Sequence, residues 1–178
     1  MSVPPESLAA ALADAKAYLR IDGTDEDALL ATLLGAAIGL CERFTGLALF
    51  ATDRTDTVPA CSPEWQRLPA TPVSAIASVA SLDPSGVATV LAVDAYAVDI
   101  DASGDGRVRL TAPIAASRLQ IGYTVGLAAD WPSLAETLRQ GVLRLTAHLY
   151  AHRDAADDAG PPAAVAALWR PYRRMQLA

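Results

Sequence analysis

Lysine is nearly missing from this 178-residue chain. Lys16 is the only one, and arginine supplies the rest of the 14 basic residues. Against them stand 20 acidic residues, for a formal net charge of −6. That balance excludes a general nucleic-acid coat, which needs excess positive charge to displace counterions from phosphate. Cysteine is scarce as well. Cys41 and Cys61 do not make a disulfide framework, and neither stands in a metal-ligand spacing, so a reducing compartment is expected. No run approaches the roughly 18 to 20 consecutive apolar residues of a membrane span. The first residues lack a basic stretch followed by an apolar run, so no secretory signal is expected. There is no G-x-S-x-G elbow, no G-x-G-x-x-G, no phosphate loop and no H-E-x-x-H. Nothing local therefore points to catalysis.

What is present is an apolar fraction of 52%, much of it alanine, which favours helix over bulky packing. A chain of this length fits one domain, or one domain with an arm, and can bury about 70% of its unfolded surface. Residues 7–19 carry Leu8, Leu12, Ala15 and Leu19 at helical spacing. That helix is expected to stop at Asp22-Gly23. A second helix follows, with Thr24 as its expected N-cap and Asp25, Glu26 and Asp27 in the first turn, where the dipole favours negative charge. Its stripe is Leu30, Leu33, Leu34, Ala37, Ile38, Cys41 and Phe44, and Gly46 falls where a left-handed cap belongs. Between Phe50 and Val125 the texture changes. Short alternating runs predict strands at 54–58, 73–81, 87–91, 96–100, 107–110 and 118–123, with turns at 83–86 and 104–106. A third helix is expected from Ser133, where Ser133-Leu134-Ala135-Glu136 reads as a capping box, with a stripe of Leu134, Leu138, Val142, Leu145 and Leu149. The fold class expected is α+β: a small helical bundle from 7–46 and 133–153, an antiparallel β insertion at 50–125, and a C-terminal arm. The main domain is placed at 1–158 and the arm at 159–178.

Five features could carry chemistry or a contact. His148 and His152 lie four apart on the third helix and could share a metal, but no third ligand is evident. Residues 101–108 place oxygens at the first, third and fifth positions of a calcium loop and Gly106 at the sixth. The twelfth position is Ala112 instead of a bidentate Glu, which favours a plain hairpin turn. Cys41 on its helix stripe reads as a small core hydrophobe, and Asp157-Asp158 as solvated linker charge. The last segment is the most informative. After Gly160-Pro161-Pro162, a linker by composition, come Leu168, Trp169, Arg170, Tyr172, Arg173 and Arg174. Aromatic and arginine side chains are those that anchor interfaces, so these six are the candidate contacts with another subunit. A short helix packing back on its own domain is the alternative.

Three stretches give the chain a family resemblance. The first is residues 13–22 running into Asp25-Glu26-Asp27-Ala28-Leu29-Leu30 and closing on Glu42-Arg43-Phe44-Thr45-Gly46. The second is Tyr123-Thr124-Val125-Gly126, then Trp131-Pro132 and a helix ending in residues 147–153. The third is Ala167-Leu168-Trp169-Arg170-Pro171-Tyr172-Arg173. In order and spacing they resemble the head-tail connector, or adaptor, proteins of long-tailed phages and phage-derived gene transfer agents. His152 departs from the pattern, in a place where a polar or acidic residue is expected before the arginine. The resemblance implies a structural role without catalysis or cofactor. It implies a ring, commonly of twelve copies, between the portal protein and a neck stopper or tail-terminator protein. Double-stranded DNA would pass through the channel without specific binding, and the protein would sit in the virion neck after assembly in the bacterial cytoplasm. An acidic wall suits that, since it repels phosphate. It also implies that the C-terminal segment grips the portal. The competing readings are another neck or tail-completion protein, or a small metal-dependent enzyme using His148, His152 and the 101–105 loop.

Overall fold

Residues 3–60, 64–152 and 160–174 are described by a computed structural model. They form a helical unit (residues 1–50 and 127–178) and a β unit (residues 51–126).

In the helical unit α1 spans Pro5–Leu19, with proline in its first turn, where a missing N–H costs nothing. It ends at Arg20, which takes the left-handed conformation at φ 57° while the Arg20 and Ile21 amides donate to the Ala17 and Lys16 carbonyls. The stop thus falls short of Asp22-Gly23. The buried face is also not the leucine stripe. Ser7, Ala11 and Ala15 lie deepest, and Leu8 and Leu12 flank them partly buried. Small residues let the helix axis approach its neighbours closely, and the leucines wedge along the sides.

Helix α2, Asp27–Thr45, buries Leu30, Leu34, Ala37, Ile38 and Cys41, as its stripe predicts, and Gly46 closes it at φ 74°. Its length and composition would suffice to cross a membrane, but this buried face belongs to the core. Thr24 is not its side-chain cap. The Thr24 carbonyl instead accepts the Asp27 amide, so the turn comes before the helix and Asp25 and Glu26 fall outside it. Both neighbouring carboxylates find tertiary partners: Asp27 pairs with Lys16 at 2.7 Å, and Glu26 accepts the Tyr150 hydroxyl at 2.6 Å.

Helix α3, Glu136–Ala151, starts two residues later than the capping box requires, with Ala135 and not Ser133 at its N-cap. Asp130 takes the role expected of Ser133, accepting the Ser133 amide at 2.9 Å. Glu136 reaches forward to Arg139 and Gln140 instead of back. The cause is tertiary. Burial of Trp131 and Leu134 folds residues 131–134 into a separate turn, closed by the Leu134 amide on the Trp131 carbonyl. From there the stripe holds, with Leu138, Val142 and Leu145 buried and Leu149 at the margin. Helix α4, Ala163–Trp169, and a 3₁₀ turn at Arg170–Tyr172 follow.

The β unit has two antiparallel sheets. One runs β1 (Thr52–Pro59), β7 (Arg118–Val125), β3 (Val73–Leu82), β4 (Ala88–Val90), and the other β2 (Gln66–Arg67), β6 (Gly106–Leu110), β5 (Tyr96–Ile100). Every run with strand alternation forms a strand; the two-residue β2 has too little sequence to show a period. Leu119, Ile121, Tyr123 and Val125 alternate inward along β7, while Thr124 bonds outward to Asp53. Gly122 lies close under β3: a Cβ there would sit 2.7 Å from the Ser78 hydroxyl, which would have to turn away.

Candidate assembly interface

The C-terminal segment does not stand off as an arm. A seven-residue helix cannot own a core, so α4 borrows one: Val165 and Trp169 are buried in the helical unit, with Leu168 and Tyr172 packed partly against it. Trp169 has no exposed surface, and its indole N–H points to the Leu138 carbonyl at 3.4 Å. Its socket is Gly141, in the middle of α3, where a Cβ would lie 2.0 Å from the indole nitrogen. Phe44 of α2 tilts against the same ring, with centroids 6.0 Å apart.

The residues after Trp169 are fastened one by one. The Tyr172 hydroxyl shares a hydrogen bond with Thr137 at 2.8 Å. The Arg173 guanidinium lies over the Phe44 ring, 5.4 Å from its centroid, a cation–π contact. The Arg174 amide donates to the Thr45 carbonyl at 2.9 Å, which satisfies one of the orphan carbonyls at the end of α2. The six candidate interface residues thus divide. Trp169 is an internal brace, so as an intermolecular anchor it is corrected; Leu168 and Tyr172 are half-buried. Arg170 and Arg173 remain exposed, and Arg174 is half-exposed. The boundary expected at 158/159 also disappears, because 160–174 share the core of the helical unit. Gly141 is the residue that sequence reasoning missed. A glycine on the buried side of an otherwise strong helix is the available signal.

The other candidates resolve as structure. His148 and His152 stack with centroids 4.4 Å apart, and among the described residues no three His, Cys, Asp or Glu side chains gather as a metal site. In the 101–108 loop, Asp101 accepts the Ser103 and Asp105 amides, each at 2.9 Å, and Gly104 adopts φ 78°. Asp105, which would be a calcium ligand, turns inward to Arg67 at 2.8 Å and to Thr71. It is a hairpin turn with its oxygens already engaged. Burial, and secondarily the charge of Glu42, push the Cys41 thiol well above its ordinary range, so it is a poor nucleophile. Cys61 and Asp157-Asp158 lie outside the described residues.

A second polar cluster of the β unit centres on Asp56. Asp56 accepts both Arg54, through Nε at 2.5 Å and an Nη at 3.1 Å, and the hydroxyl of the buried Tyr123. The Arg54 hydrogen bond, then that of Tyr123, holds the Asp56 carboxyl below its ordinary range. Burial first, and the Asp56 hydrogen bond second, push the Tyr123 phenol up. The cluster ties β1 to β7 and has no feature of a reacting site.

Residues 9–82, from α1 through β3, match the family model of phage gp6-like head-tail connector proteins. No curated protein sequence matches the chain. Among solved structures it is similar to a chain in the neck of an empty gene transfer agent particle computed with C6 symmetry. There the TM-score is 0.82 at 26% identity, over 100% of this chain and 95% of the other. A chain in the virion of a native gene transfer agent particle gives 0.77 at 27%, over 100% and 95%. One in the neck of a native particle computed with C12 symmetry gives 0.77 at 27%, over 100% and 94%. Family match and fold agree: residues 9–82 match the gp6-like head-tail connector family model, and the chain from end to end is similar in fold to a gene transfer agent neck chain.

Proposed function

We propose that this protein is a structural adaptor in the neck of a tailed-phage or gene transfer agent particle, where copies of it form a ring around the DNA channel. The observation that carries the reading is the fold likeness over the whole chain to a neck subunit, in register with a connector-family match at its amino-terminal half. The ring follows from the cyclic symmetry with which those necks are described. Its role is mechanical, with no catalytic step and no cofactor. The net charge of −6 suits a wall that DNA slides past, since like charge discourages gripping.

The proposed partners are the portal protein on one side and a neck stopper or tail-terminator protein on the other, with twelve copies as the ring number. For the portal contact the exposed guanidiniums of Arg170 and Arg173, beside the half-buried Tyr172, supply a basic surface on an acidic subunit. Trp169 holds that surface in place from beneath. Arginine at a rim steers a partner of opposite charge. The test is removal of the gene from particle-producing cells. Filled heads without tails, restored to complete particles by the wild-type gene, are the expected result. Normal yield of complete particles without the protein would refute the adaptor role. With the gene restored as Arg170→Glu, the purified protein should melt like wild type and particle completion should fall. Unchanged completion would refute the portal contact alone.

A further inference from the structure

Two distant parts of the sequence bring arginine to one end of α2. Arg170 opens the 3₁₀ turn, and the Arg173 amide closes it on the Arg170 carbonyl at 3.1 Å. Side chains three apart in such a turn eclipse, so both guanidiniums start out on the same side. Arg173 ends over the ring of Phe44, in the last turn of α2. Arg43, the residue before Phe44, is exposed in that same turn. The bond from the Arg174 amide to the Thr45 carbonyl fixes the two parts together. Neither Arg43 nor Arg170 has an ion pair among the described residues. The adjoining carboxylate, Glu42, is engaged by the Leu49 amide at 3.0 Å. A basic residue in the last turn of a helix is ordinary, because the dipole favours it. That accounts for Arg43 alone and not for two more arginines brought to the same end by another segment.

The surface around these charges is apolar in part. Pro171 is exposed, and Phe44 and Tyr172 are half-buried. The Arg173 guanidinium is already ordered on its ring, so less freedom is lost when a partner arrives. Arginine among aromatic side chains is the composition of a protein–protein contact. A DNA backbone is held differently, by charge and hydrogen bonds to phosphate and sugar, and makes no use of an apolar floor. The partner that fits is a polypeptide surface with carboxylates set beside apolar side chains, each carboxylate open to two-pronged pairing with a guanidinium.

We propose that Arg43 of α2 belongs to the same contact as Arg170 and Arg173, and that the three receive the carboxylates of an acidic polypeptide surface. This rests on the portal contact proposed above. It adds a residue from outside the C-terminal segment and names the chemistry of the surface that meets it. On a subunit with a net charge of −6, an acidic partner is repelled over most of the surface and admitted here. The patch therefore sets the orientation of docking as well as its strength.

The experiment measures binding of the full-length protein to purified portal protein at low and at moderate salt. Arg43→Glu is expected to weaken binding about tenfold or more at low salt, and the deficit should shrink as salt screens the charges. Arg144→Glu makes the same charge change at an exposed position of α3 and should bind like wild type. Melting curves establish folding beforehand. If Arg43→Glu melts early, Arg43→Gln and Arg144→Gln take the place of the pair, and the first is expected to bind more weakly than the second. Arg43→Glu binding as well as Arg144→Glu, while Arg170→Glu binds poorly, overturns this inference and leaves the portal contact standing. Wild-type binding by both Arg43→Glu and Arg170→Glu overturns the two together. A short DNA duplex is tried at the same salt. Retention of the duplex by the wild-type protein and its loss in Arg43→Glu would assign the patch to phosphate and overturn the carboxylate partner.

Discussion

Replacing Gly141 with alanine should destabilise this protein, against the usual trend for a helix interior. In an exposed helix the change gains about 1 kcal/mol, because glycine spends more backbone entropy than alanine. At Gly141 the backbone is ordinary helix, so that gain is available in principle. The new Cβ, however, would fall 2.0 Å from the Trp169 indole nitrogen and under 3 Å from two of its carbons. The indole is rigid and fully buried, with Phe44 against it, so it cannot swing aside locally. Overpacking of this kind costs about 1 to 3 kcal/mol, and expulsion of the ring would forfeit the 3 to 5 kcal/mol that a buried tryptophan is worth. Set against the helix gain, the net loss runs up to about 2 kcal/mol if the ring stays in place and about 2 to 4 kcal/mol if it is expelled, at some 2 to 4 °C in Tm per kcal/mol for a chain this size. Urea and thermal unfolding of the purified protein measure it. The decisive control is the same change in a Trp169→Ala background, where the obstruction is gone and Gly141→Ala should be neutral or stabilising. A coupling between the two substitutions of at least about 1 kcal/mol follows. If Gly141→Ala raises stability in the wild-type background, the socket does not exist and the carboxyl-terminal helix is not braced as described.

A chain ending at Gly160 should melt lower than the full protein, because it uncovers the α3 face that Val165 and Trp169 fill; an unchanged Tm would return the segment to the status of a free arm. Leu145→Ala, at a position only 2% exposed, should cost about 2 to 5 kcal/mol by urea unfolding, and a cost under 1 would contradict its burial. The Asp56 cluster predicts the pH response of the β unit. Its folded carboxyl titrates below the ordinary 3.8, so its contribution is complete above that value and fades as pH falls through the folded pKa. Tyr123 has the reverse sign: its phenol is raised above 10.0, so its contribution holds below that value and is lost as pH climbs further. Unfolding curves across pH should show both limbs, and Asp56→Asn should flatten the acid one.

Periodicity carried most of this fold. The α2 stripe, the alternation of β7 and the leucines of α3 each report burial on one face, and burial is the largest energy in the ledger. Local signals fared worse wherever a large side chain overruled them. Ser133 and Glu136 have the letters of a capping box, but burying Trp131 and Leu134 dominates a cap worth about 1 kcal/mol. Thr24 lost its place for a similar reason, since Asp27 and Glu26 are drawn to Lys16 and Tyr150, distant in sequence. The candidate interface was half legible. The residue types at 168–174 mark a contact, but they cannot say whether the partner is another molecule or Gly141 of the same chain. The union of Arg43 with Arg170 and Arg173 was invisible, because residues so distant in sequence share a surface only once the last segment has folded back on α2.

The chain leaves the helical unit after Phe50 and re-enters it at Leu127, and these two points are sewn together. The Leu127 amide donates to the Ala48 carbonyl and the Ala128 amide to the Leu49 carbonyl, each at 3.1 Å. The helical unit therefore closes its seam with hydrogen bonds between its own residues. Closing so long a loop costs entropy that grows only with the logarithm of its length, so the insert can lengthen, shorten or be exchanged at small cost to the scaffold that carries it. In evolutionary terms the bundle is a socket and the β unit a cartridge. Particles that must fit different neighbours could change the cartridge while the four helices stay the same, and a two- or three-residue splice between positions 50 and 127 should leave a bundle able to fold on its own.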